Sequence, residues 1–276
     1  MAARRPVLIL LAALLAMPAP AWAADSYSSD WAAGLKSSAR LIAAGSADGA
    51  LQAGVEFKLA PGAITYWRNP GDAGLPPTLS FEGSENLAQA RISFPAPRRL
   101  AEGGGEAFGY DHGVILPIDV EAIDAARPVA IALKLNYAVC EAICIPAEAK
   151  LRLVLPGAEA PSSPFADAIA GAKQLIPHPV EWQSLGADLT ATGEKSWRLC
   201  LAYQAGPKRD LFIEPPEAWW FDIKPAANGT GGADCFSLNL AQQPSDSTLP
   251  VAARLTITGG QGPVETTIAL GAGVKP

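Results

Sequence analysis

The sequence predicts an all-β protein made of two tandem β-sandwich domains joined by a linker with a short helix. Two observations support this. Short runs with alternating apolar and polar residues recur at near-regular spacing on both sides of a proline-rich segment, and turn residues are abundant, with 26 glycines and 25 prolines in 276 residues. Such spacing is typical of sandwiches. The length fits two domains of ordinary size, which we place at residues 24–157 and 179–276, with the linker at 158–178.

Residues 1–23 are predicted to be a cleaved secretory signal peptide. Arg4 and Arg5 form its basic start, an apolar run follows to about Met17, and Ala21-Trp22-Ala23 supplies the small residues before a cleavage site. The apolar run is shorter than the ~20 residues that a membrane-spanning helix needs. A retained membrane anchor is therefore the less favoured alternative, and the mature protein is expected to be exported and soluble.

The charge and the absence of familiar motifs exclude several functions. The formal net charge is −6, whereas nucleic-acid binding depends on Lys and Arg to neutralise phosphates, so no nucleic-acid partner is expected. No basic run suggests a membrane surface. The sequence has no nucleophile elbow, zinc-protease motif, phosphate-binding loop or dinucleotide fingerprint. We therefore predict no cofactor and no hydrolytic activity.

The first half contains the strand-like runs of the first sandwich, interrupted by two unusual loops. One loop, 68–77, is rich in Pro and Gly. The other, 101–110, carries three consecutive glycines, which are conformationally permissive, and ends in Phe108 and Tyr110. It is either a cap over a neighbouring site or a plain hairpin loop with core aromatics. The predicted strands are 39–44, 50–59, 63–67, 78–82, 88–94, 114–120, 129–139 and 149–155.

The second half begins with the linker and its helix. Ser163 is predicted as the N-cap and Pro164 as the first helical residue, with the helix ending near Leu175, before Pro177. A second set of about seven strand-like runs follows, again a number typical of a sandwich. These runs are 185–191, 197–203, 211–214, 219–223, 235–240, 252–257 and 264–270.

Four cysteines lie in the predicted mature chain: Cys140, Cys144, Cys200 and Cys235. Export implies an oxidising compartment, and of the three possible pairings sequence proximity favours Cys140–Cys144 and Cys200–Cys235. In a loop-entropy model the short bridge contributes about 2 kcal/mol and the long one about 4 kcal/mol. A short bridge is also more prone to strain and easier to reduce. We therefore predict a structural Cys200–Cys235 bridge and an exchangeable Cys140–Cys144 pair, carried on the loop of a β-hairpin.

Two alternatives for the short pair stay open. Both bridges could be structural, or the two thiolates could bind Cu(I), which prefers sulfur ligands. A site of Cys140, Cys144 and His112 is imaginable, but closed zinc sites usually have four ligands, and the second cysteine pair lies in the other predicted domain. Under either alternative the protein would be a non-catalytic binding module or interaction scaffold.

Three segments carry a resemblance to a known family. Residues 137–147 (YAVCEAICIPA) resemble the active-site hairpin in the N-terminal periplasmic domain of the thiol:disulfide interchange protein DsbD, and more closely that domain in the copper-sensitivity suppressor ScsB branch. Residues 66–76 (YWRNPGDAGLP) and 108–117 (FGYDHGVILP) agree with the same family. The resemblance is close over about residues 38–155, and the later half is more loosely similar to the second β-domain of ScsB-type regions.

The resemblance implies an immunoglobulin-like sandwich and a protein-disulfide reductase type of activity. The Cys pair would relay reducing equivalents to periplasmic thioredoxin-fold oxidoreductases or isomerases, with Cys144 joined to the partner and Cys140 resolving. An aromatic cap is expected over the cysteines, with Phe108 as the covering ring. Glu141 would raise a thiol pKa and Arg68, if close, would lower it. The expected surround of the site is Tyr66, Trp67, Arg68 and Tyr110.

One departure from the family concerns the source of electrons. Full-length members continue into a membrane-embedded domain and a C-terminal thioredoxin domain, whereas this sequence ends at Pro276. We expect either a separate electron donor, such as one in the membrane, or a different use of the dithiol. The direction of exchange is left open.

Overall fold

The structure is a computed structural model that describes residues 27–47, 50–71, 74–103, 105–155, 163–227 and 229–271. The predicted signal peptide, 1–23, and most of the proline-rich start of the linker, 156–162, lie outside the described residues. No helix in the described ranges is both long and apolar enough to cross a membrane.

The first half of the chain forms two antiparallel sheets. One has the strand order β1-β2-β3-β9-β6, and the other has the order β11-β10-β4-β8-β7, with β5 added beside β10. The strands are β1 (Ala32–Gly34), β2 (Ser37–Ala47), β3 (Ala50–Leu59), β4 (Ile64–Gly71), β5 (Thr78–Ser80), β6 (Leu87–Ile92), β7 (Arg98–Glu102), β8 (Gly105–Tyr110), β9 (Val114–Ala122), β10 (Ala130–Cys140) and β11 (Cys144–Val154).

Buried side chains that alternate with exposed ones along the strands fill the core between these two sheets. In β10, Leu133, Leu135 and Tyr137 are buried, while Lys134 and Asn136 between them are exposed. This period of two is the pleat of a strand with one face in the core and one in water. The alternation of the sequence therefore fixes which face of the cysteine hairpin points inward.

The described residues of the second half form one α-helix and two four-stranded sheets, ordered β12-β19-β18-β15 and β13-β14-β17-β16. Only β12 and β19 pair in parallel among the described strands. A separate group of buried apolar residues fills this half. Its elements are α1 (Ala166–Gln174), β12 (His178–Pro179), β13 (Ala187–Gly193), β14 (Ser196–Leu201), β15 (Asp210–Glu214), β16 (Trp220–Pro225), β17 (Asp234–Gln242), β18 (Val251–Thr258) and β19 (Val264–Leu270).

The all-β class and the strand-rich sandwich character are confirmed, while the division into two domains stays a prediction. The two halves are in contact through Phe212 of β15, which is fully buried and joins the core of the first half. Its ring packs edge-on against those of Phe108 and Trp67, with centroid distances of 4.9 and 6.1 Å.

Two local predictions were wrong. The helix begins at Ala166 with Phe165 as N-cap, not at Pro164, because the Ile169 N–H bonds to the Phe165 carbonyl in the α-helical pattern, whereas the Ala166 N–H bonds to the Ser163 carbonyl in a turn. The Ser163 hydroxyl accepts from the Phe165 N–H (3.0 Å) and donates to the carbonyl of Ala43. The predicted loop 101–110 is mostly strand, since β7 and β8 pair from Arg98↔Gly109 to Glu102↔Gly105. Gly103 lies in the turn of this hairpin, and Gly105 begins β8.

Candidate functional site

The predicted cysteine hairpin is present, and the sheet buries its two sulfurs unequally. β10 and β11 pair without interruption from Ala130↔Val154 to Cys140↔Cys144, and the two cysteines form a disulfide. Cys140 also pairs with Ile64 of β4 and is only 1% exposed. Cys144 begins the edge strand β11 and is exposed. A partner could therefore reach Cys144 but not Cys140.

Tyr66 is the aromatic residue that contacts the disulfide. Its hydroxyl lies 2.7 Å from Cys140 Sγ and 3.3 Å from Cys144 Sγ, and donates to Glu102 Oε1 at 2.5 Å. Burial, reinforced by the Glu102 carboxylate, raises the pKa of Tyr66 far above its usual value. The phenol therefore keeps its proton. Its single proton is donated to Glu102, so in the disulfide form the approaches of the Tyr66 oxygen to the two sulfurs are contacts without a hydrogen bond of their own.

Glu102 is the second side chain at the disulfide and is absent from the sequence-based prediction. It ends β7, and its Oε1 lies 2.8 Å from Cys144 Sγ. In the disulfide form this is a contact between two acceptors, but a reduced Cys144 thiol could donate to the same oxygen. Its Oε2 is buried and has no hydrogen-bond partner among the described residues. A carboxylate at this distance disfavours a thiolate.

Arg68, another residue of the predicted surround, has its observed partners elsewhere. Arg68 pairs with Glu214 (2.8 Å) and with Glu265, and lies 4.5 Å from the Trp67 ring. Burial alone would lower the pKa of Arg68, but the two carboxylates outweigh it and raise the pKa. Its observed ion-pair partners are thus carboxylates of the second half of the chain, and an effect of Arg68 on the thiols stays a prediction.

The remaining predicted aromatics are core residues in this structure. Trp67 and Phe108 pack against Phe212, and the Tyr110 hydroxyl donates to the Pro95 carbonyl at 2.8 Å. The side chains within hydrogen-bonding distance of the sulfurs, in the part of the chain that the structure describes, are thus Tyr66 and Glu102. A covering role for Phe108 stays a prediction.

The tip of the cysteine hairpin combines an apolar side chain with a neutralised charge. Ile143 is 71% exposed beside Cys144, and Leu35 in the β1–β2 turn is also exposed. Lys36 of that turn pairs with Glu141 between the cysteines, at 2.6 Å. The Glu141 charge, which we expected to raise a thiol pKa, is therefore partly compensated.

The second disulfide has the setting of a structural bridge. Cys200 and Cys235 pair directly across β14 and β17. Cys235 is buried, and a Cβ on Gly229 would come within 3.1 Å of its sulfur, so the neighbouring chain lies directly over the bridge. Both predicted pairings are confirmed.

His112 is not grouped with the two cysteines, so the imagined site of Cys140, Cys144 and His112 is not formed. Its ring contacts Asp111 at 2.6 Å and is largely exposed. The residue that completes a group of possible metal ligands with Cys140 and Cys144, among the described residues, is Glu102.

Comparison with known proteins gives a family match for the first half of the chain and a similar fold for most of it. Residues 35–156 match the family model described as "Thiol:disulfide interchange protein DsbD, N-terminal". The N-terminal periplasmic domain of ScsB from Proteus mirabilis superposes with a TM-score of 0.71 at 19% identity, over 90% of this chain and 100% of that one. A marsupial T cell receptor aligns with a TM-score of only 0.19 at 10% identity, over 88% of this chain and 100% of that one, which supports no conclusion. No curated protein matches the chain significantly.

Proposed function

We propose that the protein is a periplasmic thiol–disulfide exchange protein, because residues 35–156 match the model of the DsbD N-terminal family. It passes reducing equivalents through the Cys140/Cys144 pair to thioredoxin-fold partners. The observation that carries this proposal is the unequal burial of the two bonded cysteines, since Cys144 is exposed and Cys140 is only 1% exposed. A purely structural bridge does not require that one sulfur be reachable.

The exposure of the sulfurs suggests the order of the reaction. In the reduced protein the Cys144 thiolate attacks a partner's disulfide, and the partner's other sulfur leaves as a thiolate. Cys140 then attacks Cys144 Sγ, which re-forms the Cys140–Cys144 bond and releases the partner's second thiolate. The pair loses two electrons and the partner gains them.

Tyr66 and Glu102 act on the thiols in opposite directions. In the reduced protein the Tyr66 hydroxyl can donate a hydrogen bond to a thiolate and stabilise it. The Glu102 carboxylate has the opposite effect, because it disfavours ionisation of Cys144 and can accept a hydrogen bond from the neutral Cys144 thiol. The β7–β8 hairpin that carries Glu102 thus serves as the cap of this site. A partner that displaces Glu102 would increase the thiolate fraction of Cys144 on docking.

The second half of the chain is proposed to brace this cap. Arg99 of β7 pairs with Asp210 at 3.0 Å, and Phe108 of β8 packs on Phe212. One end of the β7–β8 hairpin is thereby anchored on β15 while the other carries Glu102 to the disulfide. Residues 179–276 would form a second sandwich that positions the redox domain 24–157.

Trapping of a mixed disulfide tests the proposed exchange. Reduced Cys140→Ser should form a stable mixed disulfide through Cys144 with an oxidised thioredoxin-fold protein, visible by mass spectrometry. Cys144→Ser is the matched control and should trap little, because Cys140 is buried. Trapping by Cys144→Ser alone would reverse the two roles, and trapping by neither variant would reject exchange.

A further inference from the structure

Reduction of the disulfide would leave three metal-ligand side chains together, and we propose that the reduced protein binds a zinc ion through Cys140, Cys144 and Glu102. The two sulfurs and a carboxylate oxygen lie within 4.8 Å of one another. The inference rests on the proposed function in one respect, since the Cys140–Cys144 pair must be reducible.

The distances suit a zinc ion after a small rearrangement. Zinc binds thiolates at about 2.3 Å and carboxylates at about 2.0–2.2 Å, in a tetrahedron, which separates the ligand atoms by roughly 3.5 Å. Cys144 Sγ and Glu102 Oε1 are 2.8 Å apart. Breaking the S–S bond lets the exposed Cys144 side chain turn outward, while Cys140 stays fixed in β10. The ion would then lie at the surface, between the hairpin tip and the end of β7.

An unpartnered polar atom independently points to a missing ligand. Glu102 Oε2 is buried without a hydrogen-bond partner among the described residues, and an unsatisfied buried carboxylate oxygen is costly. Tyr66 donates to Oε1 at 2.5 Å and so orients the carboxylate, the kind of support that metal ligands usually receive from neighbouring groups. A cation at this site would satisfy the carboxylate.

The donor set favours zinc over other metals. Two thiolates and one carboxylate suit Zn²⁺, whereas Cu(I) selects sulfur and Mg²⁺ or Ca²⁺ select oxygen. The other carboxylate near the cysteines, Glu141, is already paired with Lys36. Three protein ligands would leave a fourth position for water or for a thiolate of a docked partner.

Metal binding and disulfide exchange would exclude each other. Zinc displaces the two thiol protons and transfers no electrons, and oxidation to the disulfide removes the thiolates and releases the ion. Bound zinc would also hold the Cys144 thiolate and prevent its attack on a partner. The oxidation state of the pair would thus control metal binding.

Zinc titration of the mature chain, reduced with a phosphine, tests the inference. We expect one zinc per reduced chain that is absent from the oxidised chain and from a similarly treated Cys140→Ser/Cys144→Ser variant. Glu102→Gln should weaken binding by about tenfold or more, whereas the matched control Glu141→Gln should change it less than about threefold.

Several outcomes would overturn the zinc site. Equal affinity of Glu102→Gln and the unmodified chain, or equal zinc uptake by the double cysteine variant, would each reject it. If the reduced chain binds Cu(I) with an affinity that Glu102→Gln does not change, and binds no zinc, the cysteine pair would instead be a sulfur-only site. Thiol–disulfide exchange measured on the same samples separates the two proposals. If the protein exchanges disulfides but binds no zinc, only the metal site is rejected. If the Cys140–Cys144 pair cannot be reduced, both proposals are rejected.

Discussion

Cys140 and Cys144 face each other directly across the β10–β11 hairpin, yet only Cys144 is accessible to another protein. The difference arises from the sheet, because β10 has neighbours on both sides whereas β11 is an edge strand. The same bond thus has an exposed sulfur and a protected one.

Ile143 at the hairpin tip is predicted to contact the partner. Ile143→Asp should slow exchange with a thioredoxin-fold protein by about tenfold, because a charge replaces an apolar contact beside Cys144, but should leave reduction by dithiothreitol nearly unchanged. Ile123→Asp is the matched control, since Ile123 is 73% exposed and Ile143 is 71% exposed. Equal effects of the two substitutions on exchange would contradict a docking role.

Glu102 is predicted to restrain the reactivity of Cys144. Glu102→Gln keeps the shape of the side chain but removes the charge 2.8 Å from the sulfur, so the thiolate fraction at neutral pH should rise about three- to tenfold. Alkylation of reduced Cys144, followed by peptide mass spectrometry, measures it. Glu106→Gln serves as the control, because Glu106 is in the same hairpin but pairs with Arg99. An unchanged or slower alkylation rate in Glu102→Gln would oppose this role.

The two disulfides are predicted to differ in their contribution to stability. Their sequence separations are 4 and 35 residues, so replacing Cys140 and Cys144 by Ser should lower the free energy of unfolding by about 2 kcal/mol, and replacing Cys200 and Cys235 by about 4 kcal/mol. Urea unfolding of the two double variants measures both. A larger loss for the Cys140/Cys144 variant would favour a structural bridge at the hairpin.

Tyr110 is predicted to make the fold sensitive to alkali. Burial raises the pKa of Tyr110, against a smaller opposing effect of Arg68, while the unfolded phenol titrates near pH 10. The unfolded chain therefore releases a proton that the folded chain retains. The contribution of Tyr110 to the free energy of unfolding is therefore fully present below about pH 10 and is lost as the pH rises above it, at up to ~1.4 kcal/mol per pH unit.

Comparison with Tyr110→Phe isolates this effect. At pH 8 the free energy of unfolding of the variant should be about 1 kcal/mol lower than that of the unmodified chain, because the variant lacks the hydrogen bond to Pro95. The difference in stability between the two proteins should shrink as the pH rises above about 10. Tyr203→Phe is the control, since Tyr203 is 68% exposed. A difference between Tyr110→Phe and the unmodified chain that stays constant with pH would rule out the effect.

The strands that carry the cysteines were predictable because their signal is local. Residues 129–139 and 149–155 alternate with a period of two, and this pattern alone selects the buried face of each strand. The observed strands, Ala130–Cys140 and Cys144–Val154, extend these runs to the cysteines themselves. The proximity of the cysteines in sequence then sufficed to predict their pairing.

Glu102 and Arg68 show where local reasoning fails. Glu102 meets Cys144 across 42 residues, and the glycines beside it indicate a loop, so nothing local identifies it as a site residue. Arg68 follows Tyr66 by two residues, so the period of a strand would place both side chains on the same face. In the structure, however, the pairing of β4 with β8 shifts register between Tyr66 and Gly71. Its partners Glu214 and Glu265 lie 146 and 197 residues away.

The reduction potential of the Cys140–Cys144 pair tests the central claim most directly. The mature protein would be equilibrated in glutathione or dithiothreitol buffers of graded potential, and each thiol quantified by mass spectrometry. A redox-active pair predicts a potential of about −180 to −270 mV, the range of thiol oxidoreductases, with Cys200–Cys235 remaining oxidised. A value for Cys140–Cys144 well below about −300 mV, as for structural bridges, would contradict the proposed exchange.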